Sequence, residues 1–291
     1  MRNESENKAL LLDIAQNDAR IRAMLLNGSR ANSRIAKDDY QDFDIVFIVN
    51  ALESFTNNHK WITIFGETII KQLPDEMVIG KTSNDSFSYL MLFTHGNRID
   101  LTLYPVSKVI PNHWPDSLTV CWLDKDNLFT DLPVATDADY LISQPTSKEY
   151  VDTCNEFWWV STYVVKGLVR QDMLYAKEMM ETVVRPMLMK MISWKVGADN
   201  NFSVPFGKSG KLISKYLGEV FYRRVLETYS NADYDENWKG LINAAKIFTA
   251  VSKNVASKLG FKINSKEIRQ TQKYIRDCYL NTEATRDQVL K

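Results

Sequence analysis

The chain has 291 residues, enough for one large domain or two modest ones, and its hydrophobic content of 45% allows a substantial core. Its 36 basic residues balance its 36 acidic residues, which argues against a general nucleic-acid-binding protein because phosphate-backbone binding needs a basic surplus. No apolar run reaches the roughly 18–20 residues that span a bilayer, and the first residues are not typical of a signal peptide. We therefore expect a cytoplasmic protein that binds neither nucleic acid nor membrane.

The first half of the chain mixes helical and strand patterns. A helix is predicted over residues 5–18, an extended segment over 20–26, a turn at 27–29 and a strand over 42–49. Residues 53–72 have apolar positions at helical spacing and are predicted to form a helix. Further strands are predicted over 87–94, 98–104 and 118–123, with a hairpin turn at 95–97.

After about residue 145 the strand patterns disappear. Helices are predicted over 147–169, 172–196, 209–230, 234–259 and 265–281. Pro186 should kink or split the second of these, because it removes a helix hydrogen bond. We predict an α+β fold with two domains: residues 1–140 form a mixed sheet with helices, and residues 146–291 form a helical bundle. A monomer is favoured, and an active site is expected in the cleft between the domains.

Three aspartates fall on predicted strands of the first half. Asp42 and Asp44 are two residues apart, so both project from one face of a strand while Phe43 and Ile45 point the other way. Side-by-side carboxylates repel each other unless a cation lies between them, and Mg²⁺ prefers oxygen ligands. If the strand that contains Asp100 pairs beside this one, the third carboxylate joins the other two.

A Gly-Ser turn precedes the paired aspartates. Glycine lets backbone N–H groups approach a ligand closely, so Gly28 and Ser29 are a candidate phosphate cradle. Each part is weak alone, because a D-x-D pair more often marks a turn or a metal-free surface. Taken together and in this order, the parts indicate Mg²⁺-dependent nucleotidyl transfer.

These segments carry a resemblance to a known family. The stretches LNGSRAN (26–32) and DYQDFDI (39–45) resemble the nucleotidyltransferases of the DNA polymerase β superfamily. More narrowly, the chain is similar to the bacterial aminoglycoside 6-adenylyltransferases, which modify streptomycin. The likeness extends over FSYLMLF (87–93), IDLTL (99–103), NEFW (155–158) and MISWKVG (191–197), and so over nearly the whole chain.

The resemblance implies a polymerase β-like first domain and assigns roles to the turn and the paired aspartates. Gly28 and Ser29 would hold the triphosphate of ATP, with Arg30 where it could meet phosphate oxygens. Asp42 and Asp44 would bind Mg²⁺. These assignments make Mg²⁺ the cofactor and ATP the co-substrate.

The resemblance also gives Asp100 a role. It would complete the acidic triad at the metal and could take the proton from the acceptor hydroxyl. The product would be an AMP ester of an aminoglycoside, most simply streptomycin at its 6-position, together with pyrophosphate. Two alternatives remain open on the residues: transfer of AMP to a protein or RNA acceptor, and a non-enzymatic nucleotide sensor.

The helix predicted over 147–169 has a mixed polar and aromatic stripe. Its members recur at steps of three and four: Glu156, Trp159, Tyr163, Lys166 and Arg170. One interpretation is a cleft wall, in which Lys166 contacts phosphate, Glu156 contacts the cationic acceptor and the rings cover sugar or base. The other is an ordinary amphipathic helix with snorkelling cations, which periodicity alone favours. For Glu156 and Lys166, the resemblance favours the first interpretation.

Overall fold

The chain divides into two compact units. The computed structural model describes residues 1–79 and 85–289, without the side chains of 283–289. Residues Met1–Asp139 form one unit, here the sheet unit, and Tyr140–Lys291 form the other, the helical unit. This architecture confirms the predicted α+β class. The division into two domains with the predicted bounds, 1–140 and 146–291, stays a prediction.

The sheet unit is built on six strands. Its elements are α1 (Glu4–Asn17), β1 (Ile21–Asn27), β2 (Phe43–Val49), α2 (Glu53–Thr56), β3 (Thr68–Gln72), β4 (Phe87–Phe93), β5 (Arg98–Pro105) and β6 (Thr119–Asp124). The strand order is β3-β4-β5-β2-β1-β6. Strands β2 and β5 pair in parallel, whereas the other neighbouring pairs are antiparallel. The sheet is therefore mixed, as predicted, and its parallel pair joins the two strands that carry the aspartates.

Both faces of the central strands are packed. Alternate residues of β2 belong to different clusters: Phe43 and Phe47 lie in the larger one, and Val46 and Ile48 in a smaller one. Asp44 is on the same face as the smaller cluster, at the beginning of the strand. This end of the face is only partly covered, and the polar side chains of the candidate site lie there.

The prediction of a helix over residues 53–72 is wrong. Only Glu53–Thr56 is α-helical; a 3₁₀ segment, His59–Phe65, and then β3 follow. Gly66, with φ of +132°, separates the last two in a conformation that a helix does not contain. The β-branched residues of β3 then pair with β4 at the edge of the sheet, so tertiary pairing overrode a helical pattern.

The helical unit has six α-helices within the described residues. They are α3 (Ser147–Val169), α4 (Met173–Met179), α5 (Arg185–Asp199), α6 (Glu219–Leu226), α7 (Tyr234–Leu259) and α8 (Ser265–Val289). In this part of the chain no helix is both long and apolar enough to cross a membrane. Four apolar residues of α3 are buried on one side of the helix: Phe157, Val160, Val164 and Leu168. The ring of Phe157 stacks on Phe248 of α7 with 3.7 Å between centroids, which fixes the buried side of α3.

Backbone conformation explains the outcome of two other helix predictions. The interruption predicted at Pro186 is confirmed, since a π-helical turn, Met180–Val184, separates α4 from α5. The helix predicted over 209–230 is wrong, because only α6 and two short 3₁₀ turns form there. Positive φ angles at Gly207, Ser209 and Gly210 break the helical path.

Candidate active site

The structure brings the three aspartates together. In the parallel pair of β2 and β5, Asp44 lies directly opposite Asp100. Asp42 precedes the strand by one residue and lies two residues before Asp44. Paired residues of neighbouring strands project from the same face, so the condition placed on Asp100 by the sequence is met.

Mutual repulsion of these carboxylates is visible in the acidity of Asp44. Burial and the charges of Asp100 and Asp42 raise its pKa from 3.8 to about 6. The charge of Arg98 acts in the opposite direction but does not cancel the rise. The cluster therefore holds more negative charge than its own surroundings neutralise.

Arg98, the first residue of β5, is a site residue that sequence reasoning missed. Its Nε and Nη2 atoms donate to the two carboxylate oxygens of Asp100 at 2.8 and 2.7 Å. Its Nε also lies 3.7 Å from Oδ1 of Asp42. The signal was present in the sequence, because Arg98 is two residues before Asp100 and so shares its face of the strand.

The donor chemistry of the cluster fits Mg²⁺. Carboxylate oxygens are the ligands that this hard cation prefers, and the raised pKa of Asp44 shows that a further cation would relieve repulsion. No three carboxylate, imidazole or thiol groups among the described residues have the spacing of a complete metal site. Asp42, Asp44 and Asp100 would therefore hold the ion only after a local adjustment, and Arg98 is the cation that now contacts two of them.

Gly28 lies against the cluster at the end of β1. Its φ is +72°, and a Cβ at this position would come within 2.3 Å of Oδ2 of Asp44. A side chain would therefore be strained and would also collide with the carboxylate. The backbone N–H of Gly28 donates to the carbonyl of Leu118, so this group is already used within the fold. Because Gly28 has no side chain, its backbone can lie close to Asp44. Ser29 follows it, half-buried, in a 3₁₀ turn.

Arg30 has a different position from the one expected. Its side chain is 5% exposed, and its guanidinium donates to the carbonyls of Gln41 and Asp42. It also stacks on the ring of Phe43 at 4.0 Å. These contacts brace the loop that leads into β2, which favours a positioning role over the phosphate contact predicted for Arg30.

The stripe of α3 forms one exposed side of that helix. Glu156, Lys166 and Arg170 are exposed, and Trp159 is 59% exposed. The indole Nε1 of Trp159 donates to the hydroxyl of Tyr163 at 2.9 Å, so the two rings form a fixed pair. The shared face is as predicted, but the roles of its members in binding, and the cleft to which they would belong, stay predictions.

Comparisons with known proteins identify relatives over nearly the whole chain. A family model described as streptomycin adenylyltransferase matches residues 1–278. An aminoglycoside 6-adenylyltransferase of Campylobacter jejuni is 41% identical over 281 residues, which cover 94% of this chain and 98% of that protein. One of the same name from Bacillus subtilis (strain 168) is 40% identical over 266 residues, 90% of this chain and 93% of that protein. A crystal structure of an aminoglycoside 6-adenyltransferase from Bacillus subtilis is similar with a TM-score of 0.47 and 32% identity, covering 96% of this chain and 99% of that one.

The close approach of Gly28 to Asp44 predicts the effect of a methyl group. Gly28→Ala should lower the free energy of unfolding of the sheet unit by about 2–4 kcal/mol, because left-handed strain and a collision with a carboxylate add. Gly96→Ala is the matched control: φ is +88°, but its Cβ would meet the flexible end of Met1. This variant should lose only about 1–2 kcal/mol. Urea unfolding measures both, and equal losses would contradict the tight contact at Gly28.

The raised pKa of Asp44 predicts a pH dependence of stability in the metal-free protein. The folded state holds this proton more tightly than the unfolded chain does, because the folded pKa of about 6 exceeds 3.8. The stabilisation of the folded state by this proton is complete below the unfolded pKa. It is lost as pH rises through the folded pKa, by up to about 3 kcal/mol. Asp44→Asn removes the titrating group. In the presence of EDTA, the stability of the wild type relative to this variant should therefore fall as pH rises, and a flat difference would refute the assignment.

Proposed function

The chain belongs to the streptomycin adenylyltransferase family, and from this premise we propose that it transfers AMP from ATP to the 6-hydroxyl of streptomycin and thereby inactivates the antibiotic. The names of the relatives support aminoglycoside 6-adenylyltransferase activity. Streptomycin as the acceptor, ATP as the donor and pyrophosphate as the second product are the finer parts of the proposal.

One observation carries the chemistry: Asp44 and Asp100 face each other across a parallel strand pair, with Asp42 two residues away. Phosphoryl and nucleotidyl transfer require cations that neutralise charge on the phosphates and on the leaving group. A cluster of carboxylates with unrelieved repulsion is suited to hold such a cation. Bound at Asp42, Asp44 and Asp100, Mg²⁺ would supply this neutralisation.

Residues of the sheet unit would then handle the donor and the proton. Gly28 and Ser29 leave room for the triphosphate beside the carboxylates, because a side chain at Gly28 would fill the space next to Asp44. Asp100 would accept the proton of the acceptor hydroxyl. The hydroxyl oxygen forms a bond to the α-phosphorus of ATP as the bond to pyrophosphate breaks. Arg30 would support the loop in front of β2, where its guanidinium donates to backbone carbonyls, and its contact with phosphate stays a prediction.

Residues of α3 would recognise the acceptor and the nucleotide. Streptomycin carries guanidinium groups, and an exposed carboxylate such as Glu156 can pair with a guanidinium through two hydrogen bonds. The Trp159–Tyr163 pair offers aromatic faces for a cation or a sugar. Lys166, exposed on the same side of the helix, would pair with a phosphate.

The first experiment mixes the purified protein with ATP, Mg²⁺ and streptomycin, and follows pyrophosphate release and the mass of the drug. We expect streptomycin to gain one adenylyl unit. If pyrophosphate is released only with a different aminoglycoside, the proposed chemistry stands and streptomycin is not the acceptor. No release with any aminoglycoside would overturn the proposed function and favour a macromolecular acceptor or a nucleotide sensor.

The role of Asp100 predicts a selective loss. Asp100→Asn should lower the rate of transfer by about 10²–10⁴-fold, because an amide cannot take the acceptor proton, while ATP binding persists. Asp126→Asn is the matched control, since Asp126 also forms an ion pair with an arginine, Arg22, away from the cluster. Transfer rates and ATP affinity check both variants. Unchanged turnover in Asp100→Asn would remove Asp100 from the role of base.

A further inference from the structure

The contacts of Arg98 compete with the metal-binding role proposed for its partner. A fork of two hydrogen bonds from Arg98 uses a lone pair on each oxygen of Asp100. Each oxygen keeps a second lone pair, so Arg98 does not block Asp100 outright, but a divalent ion there must compete with the guanidinium for the same two oxygens.

Arg98 is also drawn toward the rest of the cluster. Its Nε lies 3.7 Å from Oδ1 of Asp42. The hydrogen bond that Arg98 donates to Asp100 is the main cause of the raised pKa of Arg98, and the charges of Asp42 and Asp44 add to it. In the metal-free protein this guanidinium is therefore the cation that offsets part of the repulsion among the three aspartates. It contacts the oxygens that the proposed Mg²⁺ would need.

Two arginines near β2 differ in how firmly they are held. Arg30 is buried, stacked on Phe43 and bonded to backbone carbonyls, so it cannot leave without disrupting the loop. The side chain of Arg98 is 44% exposed, and that of Asp100 is 20% exposed. The guanidinium of Arg98 thus has a path into solvent, which that of Arg30 does not.

We infer that Arg98 is an exchangeable internal cation, which clamps Asp100 in the metal-free protein and is displaced when a divalent ion binds to the aspartates. The inference rests on the proposed function, since it assumes their metal site. When the ion binds, Arg98 leaves and no longer holds Asp100 by two hydrogen bonds. Arg98 is therefore a positioning residue that acts through Asp100 and holds its carboxylate in place until the ion binds.

Binding of Mn²⁺ alone, in place of Mg²⁺, tests the exchange without reference to activity. Free Mn²⁺ is measured by electron paramagnetic resonance in titrations of the full chain. Arg98→Gln should bind the ion about fivefold more tightly than the wild type, because a competing ion pair is gone. Arg98→Lys should also bind more tightly, though less so, since an ammonium keeps the charge but cannot form the two-bond fork.

Arg22→Gln is the matched control, because Arg22 forms a similar fork with Asp126 at a distance from the cluster. Its affinity for Mn²⁺ should equal that of the wild type. Thermal unfolding gives a second readout. Both glutamine variants should melt at a lower temperature than the wild type in EDTA, and Mn²⁺ should close this gap only for Arg98→Gln, in which the ion replaces the lost cation.

The outcomes separate the inference from the proposed function. Wild-type binding of Mn²⁺ with no gain in Arg98→Gln would overturn the exchange and leave the metal site in place. A gain in Arg98→Gln but none in Arg98→Lys would show an effect of charge alone and would also overturn it. No binding of Mn²⁺ by the wild type or the variants would overturn the exchange and the metal site together.

Discussion

Repulsion among three carboxylates is the constraint on which the site depends. Parallel pairing places Asp44 opposite Asp100, and Asp42, one residue before β2, is close enough for its charge to act on Asp44. Burial and the charges of its neighbours together raise the pKa of Asp44. A backbone without a side chain at Gly28 and the partly exposed guanidinium of Arg98 both lie against these oxygens. Binding of a divalent cation together with a nucleotide would relieve the repulsion at a site of this kind.

The sequence was informative where a local pattern and the tertiary structure agree. Strands β2 and β4 could be predicted from side-chain patterns, and the shared face of Glu156, Trp159 and Lys166 on α3 from helical periodicity. Residues 53–72 were misread because their apolar spacing fits a helix, although Gly66 and pairing with β4 decide otherwise. Positive φ angles near Gly210 were equally invisible to periodicity.

Residue type and proximity in the sequence predicted which groups approach the site, but not what each one does there. Arg30 follows the Gly-Ser turn and so was assigned to phosphate, yet its contacts are with carbonyls of a loop ten or so residues ahead. Arg98 was overlooked although strand alternation places it beside Asp100. Both cases have one cause: the partner of a long, flexible side chain is decided by distances that the order of residues does not contain.

The two sides of α3 contribute differently to stability. Its buried side is packed against α7 through the stacked rings of Phe157 and Phe248, whereas Glu156, Trp159 and Lys166 on the exposed side contribute little to the core. Exposed substitutions generally change stability by less than about 0.5 kcal/mol. If this face binds the acceptor, as proposed, single mutations on it would change the range of aminoglycosides that are modified without unfolding the enzyme.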